Sequence, residues 1–171
     1  MIIQQQFSII TPRFSLRTLD VTDDLEVYLS WMRDVSSNQY ILSARLDYSM
    51  EELRDYISKI NLLSNAVLLG IFEKKSNGHI GNVKYANINS PMGSAEMGII
   101  IGQREFRGQG VGAEVLRACN IWLKTEHFVK KIELGVAANN TPALSLYRKL
   151  GFKQKNQNSS TDDTIKMEMY L

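Results

Sequence analysis

The sequence predicts an α+β fold built on a mixed sheet, and two observations support this class. In the middle of the chain, three strand-like segments follow one another with turn residues between them, which favours an antiparallel meander over a βαβ arrangement. On either side of this region, apolar residues recur at helical spacing. A chain of 171 residues is long enough for one core, so we expect a single domain over residues 1–171.

The N-terminal part predicts a strand and then a helix. Residues Phe14–Leu19 alternate between apolar and polar types, as a strand with one buried face does. A helix then extends to about Arg33, with Thr22 or Asp23 as its expected N-cap. Its apolar face carries Leu25, Tyr28, Leu29 and Met32.

A second helix begins after Ser49. Ser49 and Glu52 have the spacing of a capping box, in which each side chain satisfies a backbone N–H of the first turn. The apolar face of this helix carries Leu53, Tyr56, Ile57 and Ile60.

Three strands are predicted next, at Ala66–Phe72, His79–Ile88 and Ala95–Ile101. The pair Asn77-Gly78 between the first two is typical of a two-residue hairpin turn. The triplet Pro91-Met92-Gly93 interrupts the chain before the third strand.

The C-terminal part predicts a helix after Gly112, a short buried strand at Lys131–Ala137, a helix from Thr141-Pro142 to Gly151, and a closing strand at Ile165–Leu171. Proline at the first helical position and glycine just beyond the last are typical helix boundaries. The inner face of the first of these helices carries Val115, Leu116, Cys119, Trp122 and Leu123.

Composition narrows the function classes. The 20 basic and 18 acidic side chains give a net charge of +2 without a basic cluster, so we expect no nucleic-acid partner. No apolar run reaches the length of a membrane span, and no basic segment precedes the apolar residues at the start, so we expect no membrane partner and no signal peptide. With one cysteine, Cys119, and two distant histidines, we expect no disulfide and no metal site, and a reducing, cytoplasmic setting. We expect Cys119 to be a buried, inert thiol.

The segment Arg107–Gly112 is the most informative in the chain. Its alternate glycines allow a ligand to approach the backbone closely, and the following helix offers unpaired N–H groups suited to a phosphate. A Walker A loop is excluded, because Ala113 and Glu114 stand where that motif needs lysine and serine or threonine.

A dinucleotide-binding loop is an alternative, because Gly108, Gly110 and Ala113 fit its spacing and Glu133 lies about 20 residues further on. The context argues against it, since the loop does not follow its strand directly and the preceding strands are joined by hairpins. A purely structural glycine turn stays open as a second alternative.

Two motifs together carry a family resemblance. Arg107-x-x-Gly110-x-Gly112 resembles the (Gln/Arg)-x-x-Gly-x-(Gly/Ala) loop of the GNAT acyltransferase superfamily, and residues 140–152 resemble the second signature of that family. The similarity extends over about residues 10–171 and is greatest to the branch of the ribosomal-protein-alanine N-acetyltransferases. Further segments similar to this branch are 31–34, 49–57, 80–84 and 95–99.

The resemblance implies a mostly antiparallel sheet that is splayed in the middle, with helices on both faces. Acetyl-coenzyme A would place its pantetheine arm in the splay like an added strand. The implied contacts are the main chain of Ile99, Ile100 and Ile101, the N–H groups of Arg107, Gly108, Gln109, Gly110, Val111 and Gly112, and the side chain of Asn140. The side chain of Arg104 or Arg107 would add positive charge. Gly98 would mark a bulge that opens the strand edge, and Asn140 has helix capping as an alternative role.

The resemblance also implies the catalytic groups. Tyr147 matches the tyrosine that donates a proton to the departing thiolate, although it also fits a helix core position. Glu96 is the candidate base for the acceptor amine, or else an exposed strand carboxylate. Glu126, His79 and His127 have no support beyond residue type. We expect direct transfer without an acyl-enzyme.

The acceptor is the least determined part of the sequence reading. Acceptors in this family are bound by the first two helices and by strand ends, which makes Tyr28, Trp31 and Arg33 candidates, together with Asp34, Tyr40, Arg45 and Tyr48. These aromatics also fit the core face of an amphipathic helix. Because the chain is short after Gly151-Phe152, we expect a small primary amine, such as an amino sugar or nucleotide sugar, and a monomer or homodimer. A protein N-terminal acetyltransferase and a non-catalytic acyl-coenzyme A sensor are the alternatives.

Overall fold

The computed structural model of the protein describes residues 7–34, 46–88, 92–155 and 163–171. Within these ranges the strands are β1 (Ser8–Ile10), β2 (Phe14–Thr18), β3 (Val67–Glu73), β4 (His79–Ala86), β5 (Ser94–Ile101), β6 (Lys131–Ala137), β7 (Lys153–Gln154) and β8 (Thr164–Tyr170). The α-helices are α1 (Glu26–Arg33), α2 (Met50–Asn61), α3 (Val111–Glu126) and α4 (Thr141–Leu150).

The described strands form one sheet in the order β1-β2-β3-β4-β5-β6-β8-β7. All neighbours are antiparallel except β5 and β6, which are parallel because α3 crosses over between them. The predicted α+β class with a mixed, mostly antiparallel sheet is confirmed, as is the central meander of β3, β4 and β5.

Helices cover both faces of the sheet, and each face has its own core. Adjacent residues of β3 show the division, because Leu69 belongs to the core beneath α3 and α4 whereas Leu68 belongs to the core beneath α1 and α2. Burial on both faces explains why β3 is an almost continuous apolar run instead of an alternating one.

Two of the four predicted helix starts are confirmed, whereas α3 begins at Val111, within the glycine loop, instead of after Gly112. The Ser49 and Glu52 side chains form the capping box of α2 in both directions. Helix α4 has Pro142 in its first turn and ends at Gly151 in the left-handed conformation, with φ of 99°.

The predicted N-cap of α1 is wrong. The helix begins at Glu26, and neither Thr22 nor Asp23 caps it. The Asp23 carboxylate instead pairs with the Arg17 guanidinium at 2.8 Å and accepts the N–H of Asp20, while the Thr22 hydroxyl donates to the Asp20 side chain. These residues form their own turn because a local acceptor competes with the helix N-terminus.

Two further expectations need correction. The β3–β4 connection spans residues 74–78 instead of two residues, although Asn77 does take the left-handed conformation, with φ of 55°. Strand β1 was not predicted, since three residues are too few to show a pattern, and it owes its place to pairing with β2.

Candidate functional site

The sheet opens between β5 and β6. Only three residue pairs join these strands, the last being Glu96 with Glu133, although β5 continues to Ile101 and β6 to Ala137. Strand β5 stays paired with β4 up to Ile101, and β6 stays paired with β8 up to Ala137. The two halves of the sheet therefore diverge and leave a gap with one free edge on each side, as the resemblance implied.

The main chain of β5 presents alternate residues to this gap. Just beyond the strand, Gly102 donates its N–H to the Ile80 carbonyl on β4 at 2.9 Å. Because successive residues of a strand direct their N–H groups to opposite sides, the N–H groups of Ile99 and Ile101 face the gap. Ile100 differs from the expectation, since its main chain faces β4 and its side chain packs against the core of α1 and α2.

Gly98 does not mark a bulge. The register between β4 and β5 is uninterrupted through the pair Lys84 and Gly98. A Cβ built at Gly98 meets nothing within 4 Å, so the glycine leaves open space on the exposed side of the strand.

The glycine loop lies at the start of α3, beyond the end of β5. Gly108 and Gly110 both take the left-handed conformation, with φ of 71° and 75°, which favours glycine at these positions. The N–H groups of Gly108, Gln109 and Gly110 have no acceptor within the described ranges, and those of the first helical turn have none within the helix. This exposed group of donors at the positive end of a helix suits a phosphate.

One member of the expected donor set is already occupied. The N–H of Arg107 donates to the Arg104 carbonyl at 3.0 Å, so it is not available to a ligand. The Arg107 side chain donates to the carbonyls of Ile101 and Gly102, at 2.8 and 3.0 Å, and thereby fastens the loop to the end of β5. The Arg104 guanidinium is paired with Asp34 at 2.9 Å and is largely exposed.

Gly112 has a packing role within the loop motif. A Cβ at this position would lie 2.7 Å from Cδ2 of Leu146, so glycine allows α3 to approach α4 closely. The spacing of the motif therefore serves two purposes, since Gly108 and Gly110 shape the loop and Gly112 seats the helix behind it.

The turn between β1 and β2 supports the loop, and sequence reasoning missed it. Nε of Arg13 binds the Glu114 carboxylate at 2.7 Å, and Nη2 of Arg13 donates to the Gln109 carbonyl at 3.0 Å. The Thr11 hydroxyl also donates to Glu114, at 2.7 Å. Burial opposes ionisation of Glu114, but these hydrogen bonds outweigh it and lower its pKa. No sequence signal links Arg13 to a loop almost a hundred residues away.

Asn140 is the N-cap of α4. Its Oδ1 accepts the N–H of Ala143 at 3.3 Å, which realises the capping alternative.

Tyr147 lies on the buried face of α4, in the larger core, and is 7% exposed. Its ring packs against Phe152 with 5.6 Å between centroids. The hydroxyl has no hydrogen-bond partner among the described side chains, and burial raises its pKa to about 12. A neutral phenol with a free O–H is available as a donor at this position.

Cys119 is fully buried beneath the sheet, and burial raises the pKa of its thiol to about 12. A thiol in this environment stays protonated and is a poor nucleophile. The expected inert role is therefore consistent with its surroundings.

A cavity of about 370 Å³ lies where β5 and β6 begin to diverge, on the face of the sheet opposite α3 and α4. Glu96 stands on its β5 side, and Oε1 of Glu96 accepts a hydrogen bond from Nδ2 of Asn87 at 3.0 Å. The lining residues come from β5, β6, β8 and the segment after β7, namely Glu96, Met97, Glu133, Leu134, Gly135, Lys155, Lys166 and Met167.

Two lining residues of this cavity, Glu133 and Lys155, belong to a group of four paired charges. The Glu133 carboxylate lies 2.7 Å from Nζ of Lys155 and 3.0 Å from Nζ of Lys131. Glu168 lies within 3.6 Å of both lysines. Hydrogen bonds from Lys155 and Lys131 lower the pKa of Glu133.

The three acceptor candidates on α1 lie away from this cavity. Tyr28 and Trp31 are each 5% exposed in the core of α1 and α2, where both rings contact the His79 ring. Nε of Arg33 donates to the Tyr48 carbonyl at 2.7 Å and ties α1 to the segment before α2. This placement matches the alternative of an amphipathic core face. Tyr40 and Arg45 lie outside the described residues.

The described ranges contain neither a membrane-spanning helix nor a metal-binding cluster. No helix there has the length and apolar character that crossing a bilayer requires. No group of three or more His, Cys, Asp or Glu side chains there is arranged to hold a metal ion.

Similar structures share this architecture. The spermidine N-acetyltransferase of Vibrio cholerae, solved with CoA and spermine, superimposes with a TM-score of 0.80 at 24% identity, over 92% of this chain and 95% of that one. The ribosomal-protein-S5-alanine acetyltransferase of Vibrio fischeri gives a TM-score of 0.75 at 16% identity, over 96% of both chains. At these identities the likeness establishes the fold.

Proteins with similar sequences include two N-acetyltransferases. The uncharacterized N-acetyltransferase p20 of Bacillus licheniformis is 28% identical over 149 residues, which are 85% of this chain and 82% of that protein. The N-acetyltransferase 9-like protein of Caenorhabditis elegans is 27% identical over 141 residues, and the match covers 80% of this chain but 60% of the worm protein. The family of the acetyltransferase (GNAT) domain matches residues 13–153. Taken with the splayed sheet and the glycine loop, this match confirms the resemblance, and the chain belongs to the GNAT acetyltransferase family.

Proposed function

We propose that the protein transfers the acetyl group of acetyl-coenzyme A directly to the primary amine of a small molecule. The observation that carries this proposal is the gap beside β5, which lies between two different surfaces. The N–H groups of Gly108–Gly112, which have no acceptor in the loop or within the helix, flank it on one side. The cavity containing Glu96 borders it on the other. Donor and acceptor thus approach one opening from opposite faces of the sheet.

The residues present fit the donor. A diphosphate needs several N–H groups and little steric hindrance, and the loop offers both through Gly108 and Gly110. An amide-containing arm needs an unpaired strand edge, which Ile99 and Ile101 provide. Acetyl-coenzyme A bound in this way supplies the activated acetyl group as a thioester.

The reaction then requires three proton movements and one bond exchange. Glu96 accepts a proton from the acceptor ammonium, directly or through a water, so that the nitrogen has a free electron pair. A carbon–nitrogen bond to the acetyl carbonyl forms and the carbon–sulfur bond breaks, with the electron pair going to sulfur. The Tyr147 hydroxyl donates a proton to that sulfur. The nitrogen, still cationic after the attack, loses its second proton to solvent, and solvent returns a proton to the Tyr147 oxygen. An N–H of β5 at Ile99 stabilises the developing negative charge on the carbonyl oxygen, which is typically worth about 2.7–4 kcal/mol.

The size of the cavity supports a small acceptor. Its volume of about 370 Å³ is at the lower end of the range for small-molecule sites, roughly 300–1,000 Å³. An amino sugar or nucleotide sugar remains our preferred class, and the likeness to a spermidine acetyltransferase makes polyamines the natural comparison.

A panel of amines tests the proposal. The purified protein is incubated with acetyl-coenzyme A and with amino sugars, polyamines, aminoglycosides or N-terminal peptides, and the released thiol is measured. We expect release with at least one small amine, and mass spectrometry should show the acetylated amine with no acetylated protein intermediate.

Two other outcomes would redirect the assignment. Tight binding of acetyl-coenzyme A in calorimetry without thiol release across the panel would indicate a sensor. Release confined to peptides would indicate a protein N-terminal acetyltransferase. Either result would overturn the proposal.

A further inference from the structure

Two charged side chains that line the cavity beside the gap, Glu96 and Lys166, form no ion pair with any residue that the structure describes. Glu133 and Glu168 are neutralised by Lys131 and Lys155, as the distances of 2.7 to 3.6 Å show. Glu96 accepts a hydrogen bond from the neutral side chain of Asn87 and has no cationic partner among the described residues. Within the described part of the chain, the Lys166 ammonium has no carboxylate partner.

Lys166 is directed over the strand edge of the gap. A Cβ built at Gly135 on β6 would lie 3.4 Å from Nζ of Lys166 and 3.1 Å from Cγ2 of Thr164. Gly135 has no positive φ, so its backbone conformation does not require glycine. The missing side chain permits the exposed Lys166 to lie across β6 beside the point where the strands diverge.

The sheet register separates the two uncompensated charges. Glu96 is paired with Glu133, and Gly135 follows two residues along the same strand. One strand spacing and a two-residue rise place the backbones at Glu96 and Gly135 roughly 8 Å apart. A molecule that brings its amine to Glu96 therefore reaches the Lys166 ammonium with a group several bonds away.

We infer that the acceptor carries an anionic group, a carboxylate or a phosphate, which binds Lys166 while the amine lies at Glu96. The inference rests on the proposed function and specifies its acceptor class. A lysine ammonium is a compact charge that suits either anion. A polyamine is disfavoured, because its second ammonium would face Lys166.

Matched acceptors and variants test this inference. The carboxylate arm compares 4-aminobutyrate with butylamine, and the phosphate arm compares glucosamine 6-phosphate with glucosamine. Spermidine serves as the polycation. The variants are Lys166→Ala and Lys166→Glu, with Lys153→Ala as control, because Lys153 is an exposed lysine of the neighbouring β7 that does not line the cavity. Circular dichroism establishes that each variant is folded.

For the wild type and Lys153→Ala, we expect kcat/KM to be at least tenfold higher, in one pair, for the amine that carries the anionic group than for the amine that lacks it. Lys166→Ala should remove that preference, and Lys166→Glu should shift it towards spermidine. Calorimetric titration of the same amines without the acetyl donor should show the same order of affinities.

The outcomes separate this inference from the proposed function. Equal kcat/KM for the amines with and without the anionic group, in the wild type and in Lys166→Ala, would overturn the inference and leave the acetyl transfer intact. Absence of thiol release would count against the transfer, and the calorimetric order would then decide on Lys166 alone. Equal affinities in that titration would overturn the inference as well.

Discussion

At the scale of single residues, the Tyr147 hydroxyl is the group whose removal should affect turnover most selectively. It is buried, has no hydrogen-bond partner among the described residues and stays neutral because its pKa is about 12. Tyr147→Phe removes one oxygen and keeps the ring packed against Phe152. We expect kcat to fall at least tenfold, since general-acid catalysis typically contributes about 10²–10⁴-fold.

Calorimetry of the same variant should give an unchanged Kd for acetyl-coenzyme A. Tyr170→Phe is the matched control, because Tyr170 is 72% exposed near the end of β8. Unaltered turnover in Tyr147→Phe would remove this hydroxyl from the mechanism.

The pH profile gives a second prediction at this scale. Burial raises the pKa of Tyr147 to about 12, and the proposed mechanism requires the acid form of this residue. Its contribution is therefore complete below that pKa and is lost only as the pH rises through it. Steady-state kcat/KM should rise as the acceptor amine deprotonates and should show no falling limb from pH 6 to 10. A falling limb near pH 8 that disappears in Tyr147→Phe would mean that the phenol titrates far below this value.

At the scale of elements, the seat of α3 on α4 depends on Gly112. A Cβ there would lie 2.7 Å from Cδ2 of Leu146, so Gly112→Ala should push the helices apart and move the loop. Overpacking of this kind typically costs about 1–3 kcal/mol. We expect the free energy of unfolding in urea to fall by that amount and the Kd for acetyl-coenzyme A to rise.

Leu146→Ala provides the matched background. Removing the Leu146 methyl groups makes room for the new Cβ, so Gly112→Ala should cost less in the double variant than alone. Equal costs in both backgrounds would show that the helix contact is not what requires glycine.

The capping box of α2 gives an element-scale prediction away from the site. Ser49→Ala removes the acceptor of the Glu52 N–H and should lower the free energy of unfolding by about 0.5–2 kcal/mol, without a change in kcat/KM. Ser58→Ala, within the same helix, should have little effect. Denaturant titration of both variants distinguishes the cap from a general effect of serine removal.

Local signals determined how much of the site the sequence could predict. The glycine loop, the start of α4 and the buried tyrosine depend on residues close together in the chain, so motif and spacing were sufficient. The support from Arg13 to Glu114 joins segments about a hundred residues apart and has no pattern of its own. The N–H of Arg107 is occupied by a backbone carbonyl, and the main chain of Ile100 faces β4 instead of the gap. Both facts depend on hydrogen-bond direction, which residue types do not record.

The range over which an interaction acts also decides which strands and helices the sequence can predict. Strands with alternating or continuous apolar runs and helices with end signals were predicted, because burial and capping act over a few residues. Strand β1 and the true start of α1 were not, since the first depends on a partner strand and the second on competition from the Asp20–Asp23 turn.

At the scale of the whole molecule, the two halves of the sheet are joined by three residue pairs between β5 and β6. A ligand arm lying in the gap would pair with both halves, so acetyl-coenzyme A should protect the facing amides from hydrogen exchange. We expect the N–H groups of Ile99 and Ile101 to exchange quickly in the free protein and slowly in the complex. The N–H of Ile100, which faces β4, is the internal control and should be protected in both states. Equal protection of all three in the free protein would contradict the gap.

Because the edge of β5 is free, donor and acceptor can be recognised by different kinds of group, the main chain for one and side chains for the other. In the proposed function, the donor binds backbone amides, which every residue except proline supplies, whereas the acceptor binds the side chains of Glu96 and Lys166. Substitutions in the cavity can therefore change which amine is accepted while the acetyl donor is bound as before. Such a division lets acceptor specificity diversify on one scaffold without a change in donor binding.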